Sequence, residues 1–137
     1  MPLASPTAAP QAQAYWLVAS DWGIFNYGRA GFYGSTGSIR LNKPIVGMAA
    51  TADGGGYWLV ASDGGIFNYG RAGFYGSAAS EPLVKSLVGT ASTTDASGYW
   101  QVTSDGRVFN YGDAAFYGST GSAPLAQPIV GIAALGS

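Results

Sequence analysis

Hydrophobic positions in this chain fall in short runs, rich in aromatic and β-branched residues and punctuated by Gly and Asp, a pattern that predicts short β-strands and no helix. In residues 57–62, Tyr57, Leu59 and Ala61 share one face of a predicted strand, and Trp58 and Val60 share the other. Both faces are therefore apolar, whereas a strand with one solvated face would alternate. The surrounding sequence predicts a unit of four antiparallel strands. Residues 45–51, or their counterparts 87–93, form the first and residues 57–61 the second. Residues 66–69 return as the third through the hairpin Asp63-Gly64-Gly65, whose glycines tolerate the positive φ that tight turns demand. Residues 73–76 are a short fourth strand, and residues 77–86 lead to the next unit.

The unit recurs. Tyr15-Trp16-Leu17-Val18 returns at Tyr57 and, as Tyr-Trp-Gln-Val, at Tyr99, offset by 42 residues each time (57 − 15 and 99 − 57). Phe-Asn-Tyr-Gly begins at Phe25, Phe67 and Phe109, and Phe-Tyr-Gly-Ser at Phe32, Phe74 and Phe116. The β domain thus spans 15–137, as repeats of about 15–56, 57–98 and 99–137. Residues 1–14, rich in Pro, Ala and Gln, read as a disordered linker or tail, because their composition does not offset the entropy of ordering.

Repeated sheets that are apolar on both faces must cover one another, and radial stacking as β-propeller blades achieves this. The first strands, such as Ile45-Val46-Gly47-Met48-Ala49, combine branched residues with Gly and Ala, as a crowded innermost strand requires. Propellers have about four to eight blades, too many for three repeats alone. The expectation is half of a six-bladed ring closed by dimerisation, each C-terminal first strand completing the N-terminal blade of the partner and leaving no open edge. The alternative is a monomeric β-trefoil, which closes with three such copies.

Composition narrows the chemistry. Of 137 residues 47% are hydrophobic and 9% charged, the net charge is −1, and no basic cluster exists to displace counterions from nucleic acid. His and Cys are absent, which excludes thiol nucleophiles, His-based triads and His- or Cys-ligated zinc. No EF-hand-like loop, phosphate-binding glycine loop or suitably spaced carboxylate pair occurs. The chain is therefore expected to be no enzyme and to need neither cofactor nor metal. No apolar run approaches the roughly 18–20 residues of a membrane helix, and a signal peptide removed ahead of Met1 is compatible with the N-terminal sequence.

Several repeated residues are candidates for contact with a ligand. Trp16, Trp58 and Trp100 offer flat rings that stack on sugars or pack between sheets. Tyr33, Tyr75 and Tyr117 lie in the predicted rim strand. Asn26, Asn68 and Asn110 stand mid-strand, where Asn is disfavoured, so each needs a backbone or ligand partner. Trp22 replaces the Gly64 and Gly106 of the other copies at a hairpin tip and is an interface or ligand candidate. Asp21, Asp63 and Asp105 suit backbone capping of the hairpins. Arg29 and Arg71 give way to Asp113 in the third copy, so the three surfaces are not equivalent.

The run Tyr-Trp-Leu-Val-Ala-Ser-Asp-x-Gly-Ile-Phe-Asn-Tyr-Gly, followed by Phe-Tyr-Gly-Ser and Pro-Ile-Val-Gly, resembles the Gly- and aromatic-rich tandem repeats of secreted actinobacterial proteins over about residues 15–134. The Ser-Asp hairpins at Ser20, Ser62 and Ser104 are similar to Asp-box turns, without the usual spacer between Ser and Asp. The resemblance implies a propeller-like, extracellular or cell-wall-associated module, of a kind found beside hydrolase or cell-wall domains, with no catalytic residue to carry over. With the residues above it supports multivalent carbohydrate recognition, the alternative being an adhesion scaffold for protein partners.

Overall fold

Eight β-strands in three antiparallel sheets make up the computed structural model, which describes residues 14–21, 23–35 and 43–135. The first sheet pairs β1 (Ala14–Val18) with β2 (Ile24–Gly28). The second is ordered β3 (Ile45–Ala50), β4 (Gly56–Ala61), β5 (Ile66–Gly70), and the third β6 (Leu87–Ser92), β7 (Gly98–Thr103), β8 (Val108–Gly112). No described residue is α-helical, and one 3-10 turn spans Ala78–Ser80. Among the described residues no helix is long and apolar enough to cross a membrane. Registers repeat from sheet to sheet: Met48 faces Leu59 as Thr90 faces Gln101, and Trp58 faces Asn68 as Trp100 faces Asn110.

The hairpins form where Asp and Gly foretell them. Ala61 donates to the Gly65 carbonyl at 2.8 Å, and the Asp63 carboxylate accepts from the Gly65 N–H at 3.0 Å, closing the β4–β5 turn. Two-sided burial also holds in β4, every residue of which is buried. Trp58 packs with Ile66, Ala72 and Tyr99, while Tyr57 and Leu59 pack on the other side with Trp16, Val18 and Ile24. Each such apolar side chain contributes roughly 1.5–3 kcal/mol on burial. Between sheets, the first strands approach at glycine. A Cβ on Gly47 would lie 3.3 Å from the Gly89 Cα, and one on Gly89 would lie 3.5 Å from Ile132 Cγ2.

Two strand expectations are corrected. The sheets are not four-stranded, because residues 73–76 and their counterparts form no ladder. Side chains of the following repeat hold that segment instead. The Tyr75 N–H donates to the Tyr99 hydroxyl at 2.9 Å, that hydroxyl donates to the Gly76 carbonyl, and Gly76 adopts φ +130°, outside strand geometry. Tyr57 holds Tyr33 and Gly34 in the same way, at 3.0 and 2.6 Å. The third first strand, expected over 128–134, is likewise unladdered. Ile129 donates to the Ser104 carbonyl at 2.8 Å, as Leu87 does to Ser62, so the segment starts where β6 starts, but no described strand lies beside it to complete a sheet.

Candidate recognition site

The repeated polar groups proposed from sequence are largely satisfied by the repeat's own backbone. The indole N–H of each repeated Trp donates to a carbonyl 15 residues ahead: Trp16 to Gly31 at 2.7 Å, Trp58 to Gly73 at 2.6 Å and Trp100 to Ala115 at 2.7 Å. Each Asn side-chain amide donates to a carbonyl four residues ahead, from Asn26, Asn68 and Asn110 to Ala30, Ala72 and Ala114, at 2.9–3.0 Å. Trp and Asn together fasten the chain after the third strand back onto the sheet. Trp58 is wholly buried, so it presents no ring face to a ligand, whereas Trp16 and Trp100 are half-buried. Trp22 lies outside the described residues.

Exposure separates features of the repeat from features of its ends. Phe32, Phe74 and Phe116 are 57%, 59% and 55% exposed, so neither neighbouring repeat covers any of them. Tyr15 is 61% exposed while its counterparts Tyr57 and Tyr99 are fully buried, so its exposure is not shared by the copies. By this test the surface common to all copies is the Phe-Tyr pair at 32–33, 74–75 and 116–117, with each Tyr also exposed. The Phe of the pair was missed from sequence. Its signal was its recurrence in a segment that no ladder could hold.

Clefts lie beside the first and third of these pairs. One, of about 470 Å³, is lined by Trp16, Arg29, Tyr33 and Asp53 among others. A second, of about 490 Å³, brings together Trp100, Tyr117, Asp95 and Asp113. An aromatic floor with a few charged groups at its edge suits a polar ligand that also has an apolar face, as a sugar ring has. Among the described residues, no three His, Cys, Asp or Glu side chains converge as a metal site would require.

The charge at the cleft rim changes between copies. Arg71 of the second repeat pairs with Asp53 of the first at 3.0 Å across an 18-residue separation. Asp113 of the third repeat stands in the same relation to Asp95 of the second (113 − 95), where the two carboxyls lie close enough for each to shift the other. Asp95 is drawn down to about 2, first by the bond from Asp113 and then by the Thr93 hydroxyl and the Ser97 N–H. Asp113 is pushed up by its bond to Asp95, by desolvation and by the neighbouring charge. The signs oppose. Protonated Asp113 stabilises the fold below the ordinary carboxyl range, and that contribution is lost as pH rises through its raised value; Asp95 stabilises above that range and is lost as pH falls toward about 2. Asp113→Asn, which keeps a donor for Asp95 and removes the repulsion, is expected to melt above the parent at pH 7. In a melting series the difference should close as acid protonates the parent's Asp113; a gap constant with pH would count against the pairing.

Compared with known protein families and with curated proteins, the chain matches none.

Proposed function

We propose that this chain is a non-catalytic extracellular binding module that recognises carbohydrate multivalently, its repeats acting as blades of a six-bladed propeller closed by two chains. The observation that carries the reading is the Phe-Tyr pair, solvent-exposed in every copy at a 42-residue spacing, with clefts lined by Trp and Tyr beside the first and third pairs. Large aromatics left uncovered by every neighbour gain nothing for the fold, and they have the shape to stack on the apolar face of a sugar ring. Weak single contacts then sum, since repeated sites on one body raise avidity by roughly 10²- to 10⁴-fold when the glycan surface presents several epitopes in reach. Secretion and attachment to a cell wall follow from the resemblance of the repeats to those of secreted actinobacterial proteins.

A glycan array followed by calorimetric titration tests this. The triple variant Phe32→Ala/Phe74→Ala/Phe116→Ala is expected to melt close to the parent, because exposed side chains contribute little to stability, while losing roughly tenfold or more in glycan affinity. Silence across cell-wall and host glycans would reject the reading. The second reading, an adhesion scaffold for protein partners, is favoured by a different surface, the exposed apolar face of Tyr15, Leu17, Phe25 and Tyr27.

A further inference from the structure

We infer that the two ends of this chain are the halves of one joint, and that the surface formed by β1 and β2 docks on the third repeat of a second copy. The inference rests on the reading of the repeats as parts of a larger ring, but it concerns the joint alone. The Tyr contacts it requires already occur twice within the chain. Tyr57 and Tyr99 each lay a ring beside the Trp of the preceding repeat, with centroids 5.7 Å from Trp16 and 5.5 Å from Trp58. Each sends its hydroxyl to the Tyr N–H and the Gly carbonyl of the preceding Tyr-Gly segment. A second Tyr then covers that glycine so closely that a Cβ on Gly34 or Gly76 would sit 2.6 Å from the ring of Tyr69 or Tyr111.

Both halves of the third such joint stand open. At the C-terminal end, Trp100, Val108, Tyr117, Gly118 and Ile132 line a largely apolar cleft of about 420 Å³. Gly118 has the φ of +130° found at Gly76, yet nothing lies within 4 Å of its Cβ position. At the N-terminal end Tyr15, Leu17, Phe25 and Tyr27 are exposed, whereas Tyr57, Leu59, Phe67 and Tyr69 at the same places in the next repeat pack against the preceding one. On docking, Tyr15 of the second copy lies beside Trp100 and its hydroxyl bridges the Tyr117 N–H and the Gly118 carbonyl, while Tyr27 covers Gly118. Leu17 enters between Val102 and Val108, the counterparts of the Val18 and Ile24 that pack around Leu59.

The backbone supplies the register. β1 pairs only with β2 among the described strands, leaving free the edge by which β4 and β7 take their first strands. Residues 129–134 repeat the sequence of β3 and β6, lie against Gly89 as β6 lies against Gly47, and have no ladder partner. Carrying the β3–β4 register forward sets Ile132 opposite Leu17, Ala133 opposite Trp16 and Ala134 opposite Tyr15 of the second copy. The chief rival for this edge is residues 1–13 of the same chain, whose Pro2, Pro6 and Pro10 lack the N–H a ladder needs.

A chain without cysteine gives a clean crosslinking test. Under mild oxidation, Leu17→Cys/Ile132→Cys is expected to form disulfides between chains. Leu17→Cys/Ala133→Cys, slipped by one residue onto the opposite face, is expected to form none. Light scattering of the unmodified chain should give a mass above 14.0 kDa, and Tyr15→Ala/Tyr27→Ala, which alters side chains exposed within one chain, should return it to that mass with the far-ultraviolet spectrum intact. If the double alanine variant fails to fold, the crosslinking pair still decides. A single-chain mass for the folded parent, a disulfide within one chain, or crosslinking only in the slipped register would overturn the joint. In-register crosslinking in an assembly larger than two chains would uphold it and reject the two-chain ring, and loss of glycan binding bears on neither.

Discussion

Trp58→Ala is expected to lower the unfolding free energy by roughly 3–5 kcal/mol, a large part of the 5–15 kcal/mol typical of a domain. Among the described residues Trp58 is the largest fully buried side chain, enclosed by Ile66 and Ala72 of its own repeat and Tyr99 of the next. Truncation removes that packing, leaves a void between two sheets and deprives the Gly73 carbonyl of its donor. Trp58→Phe separates these effects: it retains most of the ring contact and loses the hydrogen bond, so its cost should be about 1–2 kcal/mol. Urea unfolding of the three proteins measures both. Trp100→Ala provides the contrast, because Trp100 has the same indole bond, to Ala115, but no repeat packed beyond it within the chain. Its cost should be smaller when the protein is dilute, and should approach that of Trp58→Ala at concentrations where copies join. Equal costs for Trp58 and Trp100 at every dilution would mean that the third repeat is covered in some other way.

The same comparison explains what could be read from sequence. Strand β4 was legible because both parities of Tyr-Trp-Leu-Val are apolar, β7 because Tyr-Trp-Gln-Val repeats that run at the 42-residue offset, and the hairpins because Asp63 and Gly65 have a local mechanism that needs no tertiary partner. The rim segment misled. Phe74-Tyr75 has strand-like side chains, but what positions it is the hydroxyl of Tyr99, 24 residues away, and a backbone turn at Gly76. The Trp residues were left between two readings for a related reason: a ring at strand period is buried or offered to a ligand, and the burial of Trp58 rests on the covering Tyr of the next repeat, which no linear pattern shows. The change of Arg71 to Asp113 was visible as a break in equivalence. Its consequence was hidden because the partners Asp53 and Asp95 lie in a different turn, and nothing in a linear pattern brings position 53 to 71 or 95 to 113.

Gln101→Leu should destabilise the fold although it restores the residue found at positions 17 and 59, with an expected loss of about 1–3 kcal/mol in chemical denaturation. Gln101 is fully buried, and its amide makes two contacts to the preceding repeat. Its oxygen accepts from the Ala78 N–H at 2.8 Å, and its nitrogen donates to the Gly64 carbonyl at 3.3 Å. Those groups belong to the first residue of the 3-10 turn and to the tip of the β4–β5 hairpin, which meet so tightly that a Cβ on Gly64 would lie 2.5 Å from the Ala78 carbonyl carbon. Leucine offers similar volume and more apolar surface, worth roughly 1.5–3 kcal/mol on burial. Against that gain it leaves an N–H and a C=O in the interior with no partner, at about 1–3 kcal/mol each and with no room for water to replace the amide. The sign follows from the backbone partners, which a side-chain substitution cannot make apolar. A variant as stable as the parent would mean that the turn can move to satisfy itself, and Gln101 would then no longer account for the seating of hairpin and turn against β7.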